Sequence, residues 1–451
     1  MQQKGYWRQG DVPEFSTLRG RYKADVAVVG GGLTGVTTAL WLSRAGLRVM
    51  LVEAERLGRA ATALCGGCVT LLPRLQYADI EKRFGSEALR NYVRTMQGAF
   101  GSLRDLAVGF GDDVDWSETD ALCMAQDERE AQRLQPEAQT MERVGLCVQT
   151  LPSAQGVMPC TGALLLGGMA TLQPRAYFAR LVQQLADRDV RIFERSRATA
   201  LETNLVYTER GSIEAPYVVV ATGYPIVNVP GWYFLRLSQR RRVLIPLAGQ
   251  PQVDRLYATA AGDRLLRGIQ GGALLQMDAG GVGERVALDE AWLKRTCGQY
   301  RHTAHSRDRY MGQAVFSDDG LPYAGVYRRK TPNLFVGTGY GAQGLLGSVL
   351  TAQAVSARVL GLADADYGLY TSQRSHWPFG RQTLRQMGRY AAGYLFRPSA
   401  PRCPHMGCKL RYDTQRRVWE CPCHGSRFDD IGHVQNAPAV WAADPHRAKR
   451  S

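Results

Sequence analysis

The residues best suited to chemistry lie near the C-terminus. Cys403-Pro-His405 is followed, after fifteen residues, by Cys421-Pro-Cys423-His424. Two thiols and two imidazoles arrive as mixed pairs from two short loops. That pattern suits a 2Fe–2S centre with two thiolates (Cys403, Cys421) on one iron and two imidazoles (His405, His424) on the other. Neutral imidazoles make such a centre less negative and raise its potential above that of an all-cysteine cluster. Zinc also takes two cysteines and two histidines, but its pairs usually run CxxC and HxxxH rather than CxH and CxxH. Two more thiols, Cys408 and Cys423, flank the same loops, so four of the ten cysteines fall in this stretch.

A second constellation lies near the start. The apolar run Ala24–Val29 reads as a buried parallel strand. Gly30-Gly31-Gly32-Leu33-Thr34-Gly35 follows it, then a helical apolar pattern to Ala45 with Gly46 as its stop, then the strand Leu47–Val52 closed by Glu53. This is a βαβ unit with GxGxxG at the turn. Gly30 permits the turn, Gly32 lets backbone approach a pyrophosphate, and Gly35 lets helix and strand pack closely. The open N–H groups of the helix start attract phosphate. Glu53 can accept hydrogen bonds from ribose hydroxyls.

Further motifs follow in a set order: Arg59-Ala-Ala-Thr62, the strand Val218–Val220 ending in Ala221-Thr222-Gly223, Asp319-Gly-Leu-Pro-Tyr-Ala-Gly325, and Asn333–Gly344 leading into an apolar helix to Leu360. From about residue 5 to 365 this order resembles the D-amino-acid-oxidase-like FAD family, which includes glycine and sarcosine oxidases and γ-glutamylputrescine oxidase. The resemblance implies FAD. Its contacts would be Gly30, Gly31, Gly32, Leu33, Thr34, Gly35, Glu53, Ala54, Arg59, Thr62, Ala198 (through its backbone, on adenine), Ala221, Thr222 and Gly223. Gly339, Gly341, Gln343, Gly344 and Leu345 would lie beside the flavin ring. It also implies a substrate sheet within about 224–313, with Arg236–Gln276 and Tyr340 nearest the substrate. Ala60 and Ala63 stand where this family commonly has glycine. No cysteine lies between Cys297 and Pro322, where some relatives attach flavin, so non-covalent FAD is expected. Cys65-Gly-Gly-Cys68 is a CxxC that reads either as a redox-active dithiol or, the favoured reading because no helix start is there to depress a thiol pKa, as two small residues packed near the cofactor.

Cys-Pro-His-Met-Gly-Cys408 and Cys421-Pro-Cys-His-Gly-Ser-Arg-Phe428 resemble the Rieske family. That resemblance implies a Cys408–Cys423 disulfide bracing the loops and a Ser426 hydroxyl donating to a cluster sulfur. Phe428 stands where quinol-oxidising members have Tyr, which implies a lower potential than theirs. The unit spans only about 45 residues, too few for a core of its own, so it needs its metal or a neighbour to dock on.

These parts require an α/β chain: a Rossmann-like FAD-binding domain with an interleaved β-rich substrate domain over 1–370, a connector over 371–396, and a small C-terminal β Rieske unit over 397–445. The composition, 45% hydrophobic and 22% charged, allows a large core and excludes a disordered or fibrous chain. The net charge is +15, and the stretch from Gln373 to Ser451 alone carries 14 Lys and Arg against 5 Asp and Glu. No groove-reading motif accompanies that charge, so it reads as a solvated face, or one docked on an acidic face of the same chain, rather than a nucleic-acid surface. No leader-like or membrane-length apolar run is present, and a cytoplasmic location is expected. The expected function is FAD-dependent oxidation of an amine or amino acid, a small-molecule substrate, with electrons exchanged between flavin, cluster and an external carrier protein. A redox sensor without turnover, or a basic nucleic-acid-modifying flavoprotein, are the competing readings.

Overall fold

The computed structural model describes residues 6–7, 11–152, 157, 160–226, 236–248, 253–282, 284, 303–304, 309–362, 365–374, 400–414 and 417–444, and six isolated helical positions (291, 294, 298, 384, 388 and 391). Most of the expected connector, 371–396, lies outside the described residues, as do His302, His305 and Cys297.

The nucleotide-binding layer is a six-stranded sheet in the order 323–328, 331–338, 217–220, 26–29, 49–52, 191–193. All pairings are parallel except the 323–338 hairpin. Val26–Val29 and Val49–Val52 are buried along their whole length, as strands covered on both faces must be. The helices Leu33–Arg44 and Gly344–Val359 pack on each other over this sheet. Arg44 lies in the last turn of the first, and Gly46 (φ +85°) lets the chain turn back after it.

A second, larger sheet carries the interleaved region. Its order is 303–304, 237–248, 272–281, 264–269, 256–259, 117–125, 162–171, 68–69, with 310–317 paired to 237–248 and 148–151 paired to 162–171. A small sheet of 20–23, 211–214, 205–208 and 198–201 carries Ala198. The C-terminal unit is a four-stranded antiparallel sheet, 411–413, 418–420, 427–428, 434–436. The α/β layer, the β-rich region and the small β unit are thus all present. Arg374 is anchored on the 319–323 segment of the larger part. Its buried guanidinium grips both oxygens of Asp319 at 2.7 Å and stacks over Tyr323 at 3.8 Å.

Candidate redox sites

The glycine turn is shaped by contacts that exclude side chains. Gly30 has φ +113°, and a Cβ there would lie 2.4 Å from the Ala221 carbonyl oxygen. A Cβ on Gly35 would lie 1.8 Å from the Gly30 oxygen. At Gly32 the only near atom would be Thr62 Oγ1 at 3.2 Å, so the space above it is open. Gly32 caps the helix with extended backbone and no side-chain cap, which leaves helix N–H groups to face an anion. The Glu53 carboxylate accepts from the Gly31 N–H at 2.7 Å and the Glu55 N–H at 2.8 Å, while burial pushes its pKa up. Thr62 Oγ1 accepts from the Leu33 N–H at 3.0 Å. Thr34 reaches the Tyr340 hydroxyl at 3.3 Å. The structure therefore gathers Gly30–Gly35, Glu53, Thr62 and Ala221 around one turn. Ala54 is half-buried at the end of its strand, Arg59 is exposed, and Thr222 donates to the Tyr224 carbonyl at 2.8 Å.

Gly339, Gly341 and Gln343 lie together on another edge of the same layer. They line a cavity of about 530 Å³ with Arg74, Gln76, Arg240 and Phe316. Gly344 opens the next helix, whose cap Gln343 has no side-chain bond to it; instead Gln343 Nε2 donates to the Thr70 carbonyl at 3.2 Å. Leu345 is buried behind it. Tyr340 also lines the cavity, but its hydroxyl is taken by Thr351 at 2.7 Å and by Thr34, so it pins the two helices together. Of the region expected near substrate, Arg240 reaches the cavity, whereas Arg236 turns to the Arg374 carbonyl. Arg74, which also lines the cavity, lies outside the region expected near substrate, whereas Arg240 lies inside it. The signal for Arg240 was three successive arginines, Arg240–Arg242, in a strand whose second half, from Val243, is apolar.

The C-terminal ligands sit on two copies of one turn. In the first, the Cys403 N–H donates to the Cys408 carbonyl and the Gly407 N–H to the Cys403 carbonyl, both at 2.8 Å. In the second, the Cys421 N–H donates to the Ser426 carbonyl at 2.8 Å and the Gly425 N–H to the Cys421 carbonyl at 3.0 Å. Gly407 and Gly425 have φ +77° and +76°. Cys403, His405, Cys421 and His424 are all buried. The His405 and His424 rings lie 4.9 Å apart at 85°, and the Cys403 and Cys421 thiols hydrogen-bond. Burial lowers the two imidazoles, His405 to about 4 and His424 to about 3, so both are neutral at ordinary pH. Paired thiols beside paired neutral imidazoles are the donor set of a mixed-ligand 2Fe–2S centre. Ser426 bonds the Cys403 sulfur, as the resemblance implied, and accepts from the Ala439 N–H at 3.0 Å.

The expected Cys408–Cys423 disulfide is not formed. Both are free thiols, and their sulfurs gather with that of Cys421 within 4.8 Å of one another. The three thiols share hydrogen bonds instead, with Cys408 accepting from both Cys421 and Cys423. Cys65 and Cys68 are also free, and burial pushes them up to about 11 and about 12, which fits packed rather than reactive thiols.

The small unit docks on the larger one. Arg241 Nη2 donates to Glu420 Oε1 at 2.8 Å, and Arg427 Nε to Glu420 Oε2 at 3.1 Å, all three side chains nearly enclosed. Gln313 Nε2 donates to the Gly425 carbonyl at 3.1 Å, and Arg197 Nη2 to the Val434 carbonyl at 3.2 Å. The expectation of a basic unit on an acidic face is reversed at these contacts. Here the larger unit supplies the arginines.

Fold and sites together define a dinucleotide-binding oxidoreductase with an iron–sulfur unit attached. The sequence matches the FAD dependent oxidoreductase family over residues 25–358 and the Rieske [2Fe-2S] domain over residues 396–444, and the chain belongs to the FAD-dependent oxidoreductase family. It is 23% identical to the Rieske 2Fe-2S iron-sulfur protein YhfW of Bacillus subtilis (strain 168), over 96% of each chain. It is 28% identical to gamma-glutamylputrescine oxidoreductase of Escherichia coli (strain K12), over 46% of this chain and 50% of that one. Among solved structures, glycine oxidase from Geobacillus kaustophilus superposes with a TM-score of 0.64 at 20% identity, covering 79% of this chain and 100% of the other. That likeness establishes the fold. The cofactors are FAD and a Rieske 2Fe–2S cluster. Among the described residues no helix is long and apolar enough to cross a membrane.

Proposed function

We propose that the chain is a dehydrogenase of a small amino acid or amine that passes electrons from FAD to the Rieske cluster and on to an external one-electron carrier. The observation that carries this reading is the cluster unit seated on the flavin unit, with His424 packed against Tyr224 at 5.7 Å between ring centroids. FAD supplies a two-electron acceptor, and the cluster accepts single electrons.

The residues then divide the work. Gly30, Gly31, Gly32, Leu33, Thr34 and Gly35 form the turn that seats the pyrophosphate at the helix N-terminus, and Glu53 with Ala54 holds the ribose. Arg59, Thr62, Ala198, Ala221, Thr222 and Gly223 complete the dinucleotide site. Gly339, Gly341, Gln343, Gly344 and Leu345 place a helix N-terminus beside the ring, where its dipole favours negative charge. Arg74 and Arg240, lining the cavity at Gly339–Gln343, receive a substrate carboxylate, which favours an amino acid over a simple amine. Cys403, Cys421, His405 and His424 hold the cluster. The working units are 1–370 and 397–445, joined by 371–396.

Anaerobic mixing with a panel of amino acids and amines tests this. Loss of flavin absorbance followed by the reduced-cluster signal in electron paramagnetic resonance (EPR) supports it. Flavin that no member of the panel reduces overturns the substrate class.

A further inference from the structure

The two ligand turns meet different surroundings. Every residue of the second, Cys421–Phe428, is buried, whereas the first exposes Pro404 and Met406. His424, only 1% exposed, faces the ring of Tyr224. Tyr224 directly follows Ala221-Thr222-Gly223. The Ala221 carbonyl abuts Gly30 in the phosphate turn, and the Gly223 carbonyl accepts from Thr338 Oγ1. Four consecutive residues thus run from the dinucleotide turn to the cluster histidine. The seam is also fastened. Glu420, next to Cys421, is gripped by Arg241. Gly425, next to His424, sits so close that a Cβ would lie 2.6 Å from Gln239 Oε1 and 3.0 Å from Val282 Cγ1. Gln313 holds the Gly425 carbonyl and is itself bonded by Asn436.

We propose that Tyr224 is the bridging residue for electron transfer between the flavin unit and the cluster, and that Arg241 is a positioning residue that keeps the cluster unit docked rather than shuttling. This rests on the reading that electrons pass between FAD and cluster. Each passage takes one electron from the reduced flavin to one ferric ion of the cluster, and protons released by the flavin go to solvent. A one-electron carrier outside the chain then reoxidises the cluster, so two passages follow each two-electron oxidation. With the His424 edge sealed inside, the outer turn at His405 and Met406 is left for that carrier.

The test uses holoprotein with its flavin reduced by light and EDTA without oxygen, so no substrate is needed. Cluster reduction is followed by freeze-quench EPR. Tyr224→Leu is expected to slow cluster reduction several-fold and shift the cluster g-values, with flavin photoreduction unchanged. Tyr224→Phe, which keeps the ring, is expected to restore the rate. Arg241→Gln is expected to slow transfer and to raise hydrogen exchange across residues 421–428. A Leu variant that transfers at the wild-type rate, or an Arg241→Gln variant with unchanged exchange and rate, overturns the proposal alone. A wild-type cluster that never takes electrons from photoreduced flavin overturns the parent reading as well.

Discussion

Arg241 and Arg242 are neighbours on one strand and bind on opposite sides of it: Arg241 to Glu420 of the cluster unit at 2.8 Å, Arg242 to Asp278 within the flavin unit at 2.6 Å. Strand side chains alternate faces, so the period of two divides the three arginines between the seam and the flavin side. Arg240 joins Arg242 on the inner side, where both stack on Phe316, at 4.5 and 5.3 Å. Gln313, opposite Arg241 in register, shares the outer face and reaches Gly425. One pair of strands thus forms both the wall of the cavity and the platform of the cluster.

Removing Arg241 leaves Glu420 with Arg427 as its remaining guanidinium partner and loses one charge-assisted hydrogen bond, at a cost of about 2 kcal/mol. Arg241→Ala is expected to lower the denaturant midpoint at which cluster absorbance bleaches, more than it lowers the midpoint for flavin release. Coincident, unchanged midpoints would contradict this.

The glycine turn offers a contrast between two substitutions. Gly35→Ala collides with the Gly30 backbone and should destabilise the apoprotein itself. A Cβ at Gly32 meets only Thr62 Oγ1, so the Gly32→Val chain should fold and fail to bind FAD. Circular dichroism together with FAD titration separates the two outcomes, and FAD binding by the Val variant at wild-type affinity would show that the pyrophosphate lies elsewhere.

Arg240→Met is expected to raise KM for a carboxylate-bearing substrate by about 10- to 100-fold, the worth of a charge-assisted hydrogen bond, with a smaller change in kcat. A substrate lacking the carboxylate should show little difference between variant and wild type. Equal losses on both substrates would move the carboxylate site away from Arg240.

Cluster potential should follow hydrogen bonds to its sulfurs. Ser426→Ala removes the bond to Cys403 and is expected to lower the potential, while Phe428→Tyr, adding a hydroxyl at a fully buried ring, is expected to raise it. An EPR-monitored redox titration reads both shifts. An unchanged Ser426→Ala potential would remove Ser426 from the cluster's environment.

Alkylation of the unfolded, unreduced chain should label Cys408 and Cys423, as expected for free thiols. Mass spectrometry showing the pair unlabelled and two mass units lighter would establish the disulfide instead.

What could be read in advance was local. Gly30–Gly35 with Glu53, and Cys403–His405 with Cys421–His424, are short motifs whose spacing alone defines the chemistry, and the structure gathers each set. The contacts that join the sets are not local. Arg241 meets Glu420 across 179 positions, and Tyr224 meets His424 across a seam that neither motif encodes. The hydroxyl of Tyr340 is likewise claimed by Thr34, over three hundred positions away, through helix packing that no periodicity reveals. The disulfide expectation failed for a different reason: resemblance brought the right thiols together, while the third thiol that shares their hydrogen bonds, Cys421, is placed by the fold.

The identical hydrogen-bonded turns that carry the ligands bear on how the molecule matures. One turn can close in a short isolated hairpin, but the second packs its glycine against Gln239 and Val282 and its histidine against Tyr224, all supplied by chain synthesised earlier. The platform must therefore exist before the second half of the metal site takes its final form. The metal site is thus finished by residues of the larger unit as much as by its own loops.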